Sequence, residues 1–167
     1  HDQTRRQRQM CIRDSDQIST LYSEAISNAF NNGTNSSSYE DNDLSSQLKT
    51  VARLISGGLQ SKVYLVKLNG FDTHFNQIQS GNDIQGDHNE LLIELNNAVS
   101  SFMEDISAQG FQDDVVGLTF SEFGRKAKEN GNLGTDHGEI APMFVFGSAI
   151  NGGVSGSNPD LTEATLE

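Results

Sequence analysis

Outside its first fifteen residues the chain has no cysteine. The single one, Cys11, lies in "HDQTRRQRQMCIRDS". Disulfide frameworks and thiol chemistry are therefore excluded from the remainder. Basic residues are also scarce: 11 Lys+Arg stand against 23 Asp+Glu in 167 residues, a formal charge of -12. Such a surface offers no footprint for a phosphate backbone, so nucleic acid is not expected as a partner. No apolar run approaches the roughly 20 residues that span a bilayer, and no secretory signal opens the sequence.

The first fifteen residues are unlike the rest. They hold four of the eleven basic residues, and without them the balance is 7 basic against 21 acidic. "RQRQMCIRDS" reads as translated adapter sequence, with a native basic tail as the alternative. The expected division is thus 1–15 as a non-native or disordered segment and 16–167 as part of one α/β domain.

What is present alternates between helical and β patterns. Ile18, Leu21, Tyr22, Ala25, Ile26, Ala29 and Phe30 predict a helix over 16–30. The polar stretch 31–42 predicts a loop, and Asp43 is expected to cap a second helix that Gly57 and Gly58 stop. "KVYLVKL" (62–68) is nearly all apolar in its middle and predicts a strand covered on both faces. A long helix is expected from Asp87 or His88 to Gly110, then strands over 114–120 and 142–146. Strand, helix, strand in that order predicts a parallel crossover, hence a layered α/β sandwich with a mostly parallel sheet and helices on both faces.

Three polar segments attend these elements. Asp72 and His74 follow the first expected strand, and Ser121, Glu122 and Arg125 follow the second. Asp136 and His137 sit between Gly134 and Gly138, on the loop entering the third. Imidazole and carboxylate are the usual ligands of zinc and manganese in hydrolytic centres. Side chains two apart project the same way from extended backbone, so Asp72 and His74 can reach one ion. Asp136 and His137 need the backbone bend that the flanking glycines permit. The four complete one tetrahedral site, or give two ligands each to a pair of ions about 3.5–4 Å apart. Arg125 suits an anion clamp, since a guanidinium matches two phosphate or sulfate oxygens. Both readings require the three loops to meet. Each feature also has a plain structural reading: a turn beside a surface histidine, a turn-capping Asp136, an ion pair between Glu122 and Arg125, and His88 as part of a helix start. Gly147–Gly156 fits neither a dinucleotide-binding nor a P-loop pattern.

"NGFDTH", "LTFSEFGRKAKENGNLGTDHG" and "PMFVFGSAINGGVSG" resemble, in order, the C-terminal half of the bacterial domain of unknown function 1501 family, from about Asp43 onward. That family is grouped with the alkaline phosphatase/sulfatase-like superfamily. The resemblance implies an alkaline phosphatase-like sandwich, here incomplete, whose missing N-terminal half carries the nucleophile and another metal Asp. It implies a metal-dependent sulfatase- or phosphatase-like hydrolase acting on an anionic ester, with two divalent ions drawn from zinc, manganese or calcium. Asp72, His74, Asp136 and His137 would be ligands, Glu122 a supporting residue and Arg125 the clamp. It also implies a periplasmic or secreted location, and little activity in this stretch alone. The alternative is a non-catalytic exported binding module of the same fold. The single residue between Asp72 and His74, where phosphatases usually have three, favours that alternative. A plain α/β domain with chance motifs would instead leave His74 and His137 far apart.

Overall fold

The computed structural model describes residues 2–82 and 84–157, with side chains from residue 17 onward. Three helices come first, α1 (Asp2–Asn32), α2 (Asp43–Ser56) and α3 (Asp87–Ala108). Four short strands follow, β1 (Gly117–Leu118), β2 (Gly124–Glu129), β3 (Thr135–Gly138) and β4 (Val145–Phe146).

The helices follow from local chemistry. At the start of α2 the Asn42 side chain accepts from Ser45 N at 2.8 Å, so Asn42 is the cap and Asp43 the first helical residue. Gly57 ends α2 and Gly58 follows with φ +84°, a conformation that costs glycine nothing. α1 begins at Asp2, upstream of the start expected at Asp16. Its far end is held by Arg53, whose Nε donates to Phe30 O at 2.7 Å while its guanidinium lies over the Phe30 ring.

The core lies between α2 and α3. Leu44, Leu48, Val51 and Ala52 face Ala98, Phe102 and Ile106, at the three- and four-residue steps of one helix face. Each large side chain buried there stabilises by about 1.5–3 kcal/mol. Asp105 is fully buried beside them. It accepts from Ser36 N (2.6 Å), Asn35 Nδ2 (2.9 Å), Tyr39 Oη (2.8 Å) and Gln109 Nε2 (2.6 Å), which straps the 33–42 loop onto α3.

The β structure corrects the expected sandwich. Among the described residues there is no parallel sheet, only two antiparallel pairs, β1 with β4 and β2 with β3. The crossover from 62–68 through α3 to 114–120 is not formed, because 62–68 is extended but unpaired. Tyr64, Val66 and Leu68 pack on the helical core, while Val63 (80 %) and Leu65 (77 %) are exposed. Lys67 exchanges two bonds of 2.9 Å with the Gln47 side chain, where a neighbouring strand would otherwise bond. The apolar run thus covers one face and not two. Helices consequently lie on one side of it only, and Val116, Leu118 and Phe120 are likewise exposed. Of the other expected strands only Gly117–Leu118 and Val145–Phe146 form, paired with each other.

Candidate metal centre

Two pieces of backbone make the site. The first is the turn after the extended segment, closed by Thr73 N to Phe71 O (2.9 Å) and His74 N to Asp72 O (3.1 Å). It buries Thr73 and turns Asp72 and His74 outward together, with His74 Nε2 3.0 Å from Asp72 Oδ1. The second is the β2–β3 hairpin. Arg125 pairs with His137 and Gly124 with Gly138, and an irregularity in register follows before Glu129 meets Thr135.

The hairpin docks on the turn through main-chain and amide bonds. Asn76 N and Ile78 N donate to Asn132 O (3.4 Å) and Leu133 O (3.2 Å), and Thr135 Oγ1 donates to Gln77 Oε1 (2.8 Å). Gly134 is required at the contact, because a Cβ there would collide with the His74 carbonyl. Arg125 ties the same pieces. Its Nη1 donates to Thr135 O, and its Nη2 to Phe71 O (2.5 Å) and to Thr73 Oγ1 (3.5 Å).

Docking brings Asp72, His74, Asp136 and His137 together. His137 Nε2 lies 2.7 Å from Asp72 Oδ1, and His74 Nδ1 lies 3.3 Å from Asp136 Oδ1. The His137 ring stacks with two others, Phe123 (4.2 Å, 8°) and His74 (4.9 Å, 28°). One ligand atom from each of Asp72, His74 and His137 falls within 4.8 Å of the other two. Asp136 stands beside this trio. Glu122 is exposed and belongs to no such grouping among the described residues.

The local field favours ionised carboxylates. The bond from His137 is the main cause holding Asp72 below its usual value, with the charges of His74, His137 and Arg125 adding to it. The bond from Asn130 does the same for Asp136, followed by that from His74. His88 opens α3 with its ring edge-on to Phe71 (5.8 Å), and burial lowers its pKa, helped by the charge of Arg125.

Phe123, Gln77 and Asn130 also shape the site, and no signal in the sequence marks them for it. Asn130 joins the two pieces of backbone. It donates to His74 O (2.9 Å) and to Asp136 Oδ1 (3.2 Å), and its own oxygen accepts from Asn132 N (2.9 Å). An Asn-Gly pair reads as a turn, which hides a side chain that also reaches the site.

Neither the curated proteins nor the solved structures searched contain a match. A family model described as "Protein of unknown function (DUF1501)" matches residues 5–167. That span takes in both halves of the cluster, the docked turn and the hairpin, and the chain belongs to the DUF1501 family.

Proposed function

We propose that Asp72, His74 and His137 hold a divalent cation, and that this centre serves hydrolysis of an anionic ester, a sulfate or a phosphate. The observation carrying the reading is the convergence of three ligand atoms within 4.8 Å, from segments far apart in sequence. Two imidazoles and one carboxylate fit zinc, and manganese next; calcium prefers an all-oxygen set. Three protein ligands with an open position are the pattern of catalytic rather than structural zinc sites. A cation bound there would supply Lewis acidity toward an ester oxygen.

The chain's own residues supply the rest. Asp72, ionised under the influence of His137, offsets part of the cation's charge. Stacking on Phe123 fixes the plane of His137. Arg125 bonds Phe71, Thr73 and Thr135 and lies 3.6 Å from Asp72 Oδ1, so in this reading it holds the turn against the hairpin in place of clamping an anion.

A second reading is favoured by one observation. Thr135 Oγ1 is bonded to Gln77, and Thr73 is buried against Arg125, so neither neighbouring hydroxyl faces the trio. A non-catalytic exported module using the cation for recognition would need none. Calorimetric titration with Zn2+ and Mn2+ tests the shared premise. One saturable equivalent, lost in His137→Ala, is expected, and absence of saturable binding would sink it. Aryl sulfate and aryl phosphate turnover by the gene's full product then separates hydrolase from binding module.

A further inference from the structure

The tip of the β2–β3 hairpin carries an Asn-Gly pair, Asn130-Gly131, and the chain has others at Asn32-Gly33, Asn69-Gly70 and Asn151-Gly152. Such a pair can close on itself. The main-chain nitrogen of the glycine attacks the side-chain carbonyl carbon, because no Cβ on the second residue obstructs the approach. One C–N bond forms, another breaks, and the side-chain amide leaves as ammonia with the proton of the attacking nitrogen. Water then opens the cyclic imide at either carbonyl, giving aspartate or isoaspartate.

In the docked hairpin every group that must move is held. Asn130 Nδ2 donates to His74 O (2.9 Å) and Asp136 Oδ1 (3.2 Å), and Asn130 Oδ1 accepts from Asn132 N (2.9 Å). The attacking atom, Gly131 N, donates to Glu129 Oε1 (2.8 Å), which also accepts from Leu133 N (3.0 Å). Gly131 itself is exposed, with φ +86° and no atom within 4 Å of where a Cβ would lie, so bonds rather than crowding restrain the pair. Asn151-Gly152 is the contrast. Both residues are exposed in an irregular segment, and among the described residues no hydrogen bond holds the Asn151 side chain.

We propose that Asn130 is a self-modification site guarded by docking of the hairpin: once lifted from the turn the hairpin deamidates there, and the product does not dock again in the same way. The amide donates to the turn at His74 O and to β3 at Asp136 Oδ1. A carboxylate only accepts. Both acceptors then lose their donor, and a second negative charge stands beside Asp136. Isoaspartate also inserts a carbon into the main chain of a turn that Asn130 N closes on Gly134 O (2.9 Å). Opening is reversible and the chemistry is not, so repeated opening drains the docked form. None of this requires a bound cation.

The test has two arms. Peptide mass mapping of the full chain during incubation at mildly alkaline pH follows Asn130, with Asn151 as the reference in the same sample. In the folded wild-type chain Asn130 is expected to convert at least about tenfold more slowly than Asn151, as a site reached only by local opening does. In urea the two should convert at similar rates. Gly134→Ala, which pushes the hairpin off the His74 carbonyl, should bring Asn130 toward the Asn151 rate and leave Asn151 unchanged; Thr135→Val, which loses the bond to Gln77, is the milder variant. An Asn130 rate equal to that of Asn151 in the folded wild type, or unmoved in both variants, overturns the proposal. The second arm compares Asn130→Asp with Asn130→Ala by amide exchange of β2 and β3. Both lose the donor, and only the first adds charge. Exchange is expected to be fastest in Asn130→Asp, with the gap to Asn130→Ala narrowing as salt is raised. Exchange in Asn130→Asp at the wild-type rate would show that the deamidated hairpin still docks, and would refute the one-way loss.

Discussion

The imidazoles of His74 and His137 lie stacked, centroids 4.9 Å apart and planes 28° from parallel, although one sits on the turn after an extended segment and the other on β3. Chance motifs on a plain domain would leave them apart. The stacking follows from docking of the hairpin on the turn, so its consequences are testable at the docking residues as well as at the rings.

His74→Ala and His137→Ala each remove one of three proposed ligand atoms. Zn2+ affinity should fall by at least about 100-fold in each, more than outer partners of ligands usually cost. Competition against a chromophoric chelator measures it. A change below threefold in both variants would show that the rings do not ligate.

The carboxylates of Asp72 and Asp136 both have folded pKa values below the ordinary 3.8. A depressed folded value gives stability that is present above the unfolded pKa and lost as pH falls through the folded one. The Asp72–His137 and Asp136–His74 contacts should therefore persist down to pH 3.8 and disappear below it. Carbon-detected titration of the two carboxyls reads the midpoints, and values at or above 3.8 would contradict the local field described.

Asp105 titrates the same way for another reason. Burial pushes its carboxyl up, but the bonds from Ser36, Asn35, Tyr39 and Gln109 outweigh burial and bring it below the usual value. The partner responds too: burial and the bond to Asp105 raise the pKa of Tyr39. Asp105→Ala removes four hydrogen bonds to a charged group and should cost about 3 kcal/mol in urea unfolding, since one such bond contributes about 1.5–3 kcal/mol and the part-exposed donors regain water. A loss under 0.5 kcal/mol would mean that the strap contributes nothing.

Gly134→Ala places a methyl group against the His74 carbonyl, which is main chain and cannot swing aside. The hairpin should lift from the turn. Zn2+ affinity is expected to drop at least tenfold, with far-UV helical signal retained because the helices are not touched. Unaltered affinity would indicate that the turn and hairpin do not need this close approach.

The helices were legible because their signals are local: apolar spacing in α2 and α3, glycines after each, a polar loop between α1 and α2. The cap moved by one residue, from Asp43 to Asn42, since both can accept from a helix amide. Of the strands, β1 and β4 form inside expected runs, but β2, β3 and the antiparallel pairings were not legible. A short apolar run such as 62–68 does not say how many of its faces are covered, and Val63 and Leu65 face outward. At the site, residue types and spacing brought forward Asp72, His74, Asp136 and His137, which do converge. That three of them group within 4.8 Å while Asp136 stands beside them is a fact of three-dimensional register. Asn130 and the bonds that occupy Arg125 are long-range for the same reason.

The uneven placing of buried apolar side chains has a dynamic consequence. Among the described residues all of them apart from Ala29 belong to α2 and α3, and at the cluster only the small Thr73 and Gly134 are buried. The helical pair and the docked hairpin are then separate cooperative units of unequal strength. Amides of β2 and β3 should exchange with solvent by local opening, while those of α2 and α3 wait for global unfolding. The proposed cation ligands would thus come and go on a scaffold that stays folded.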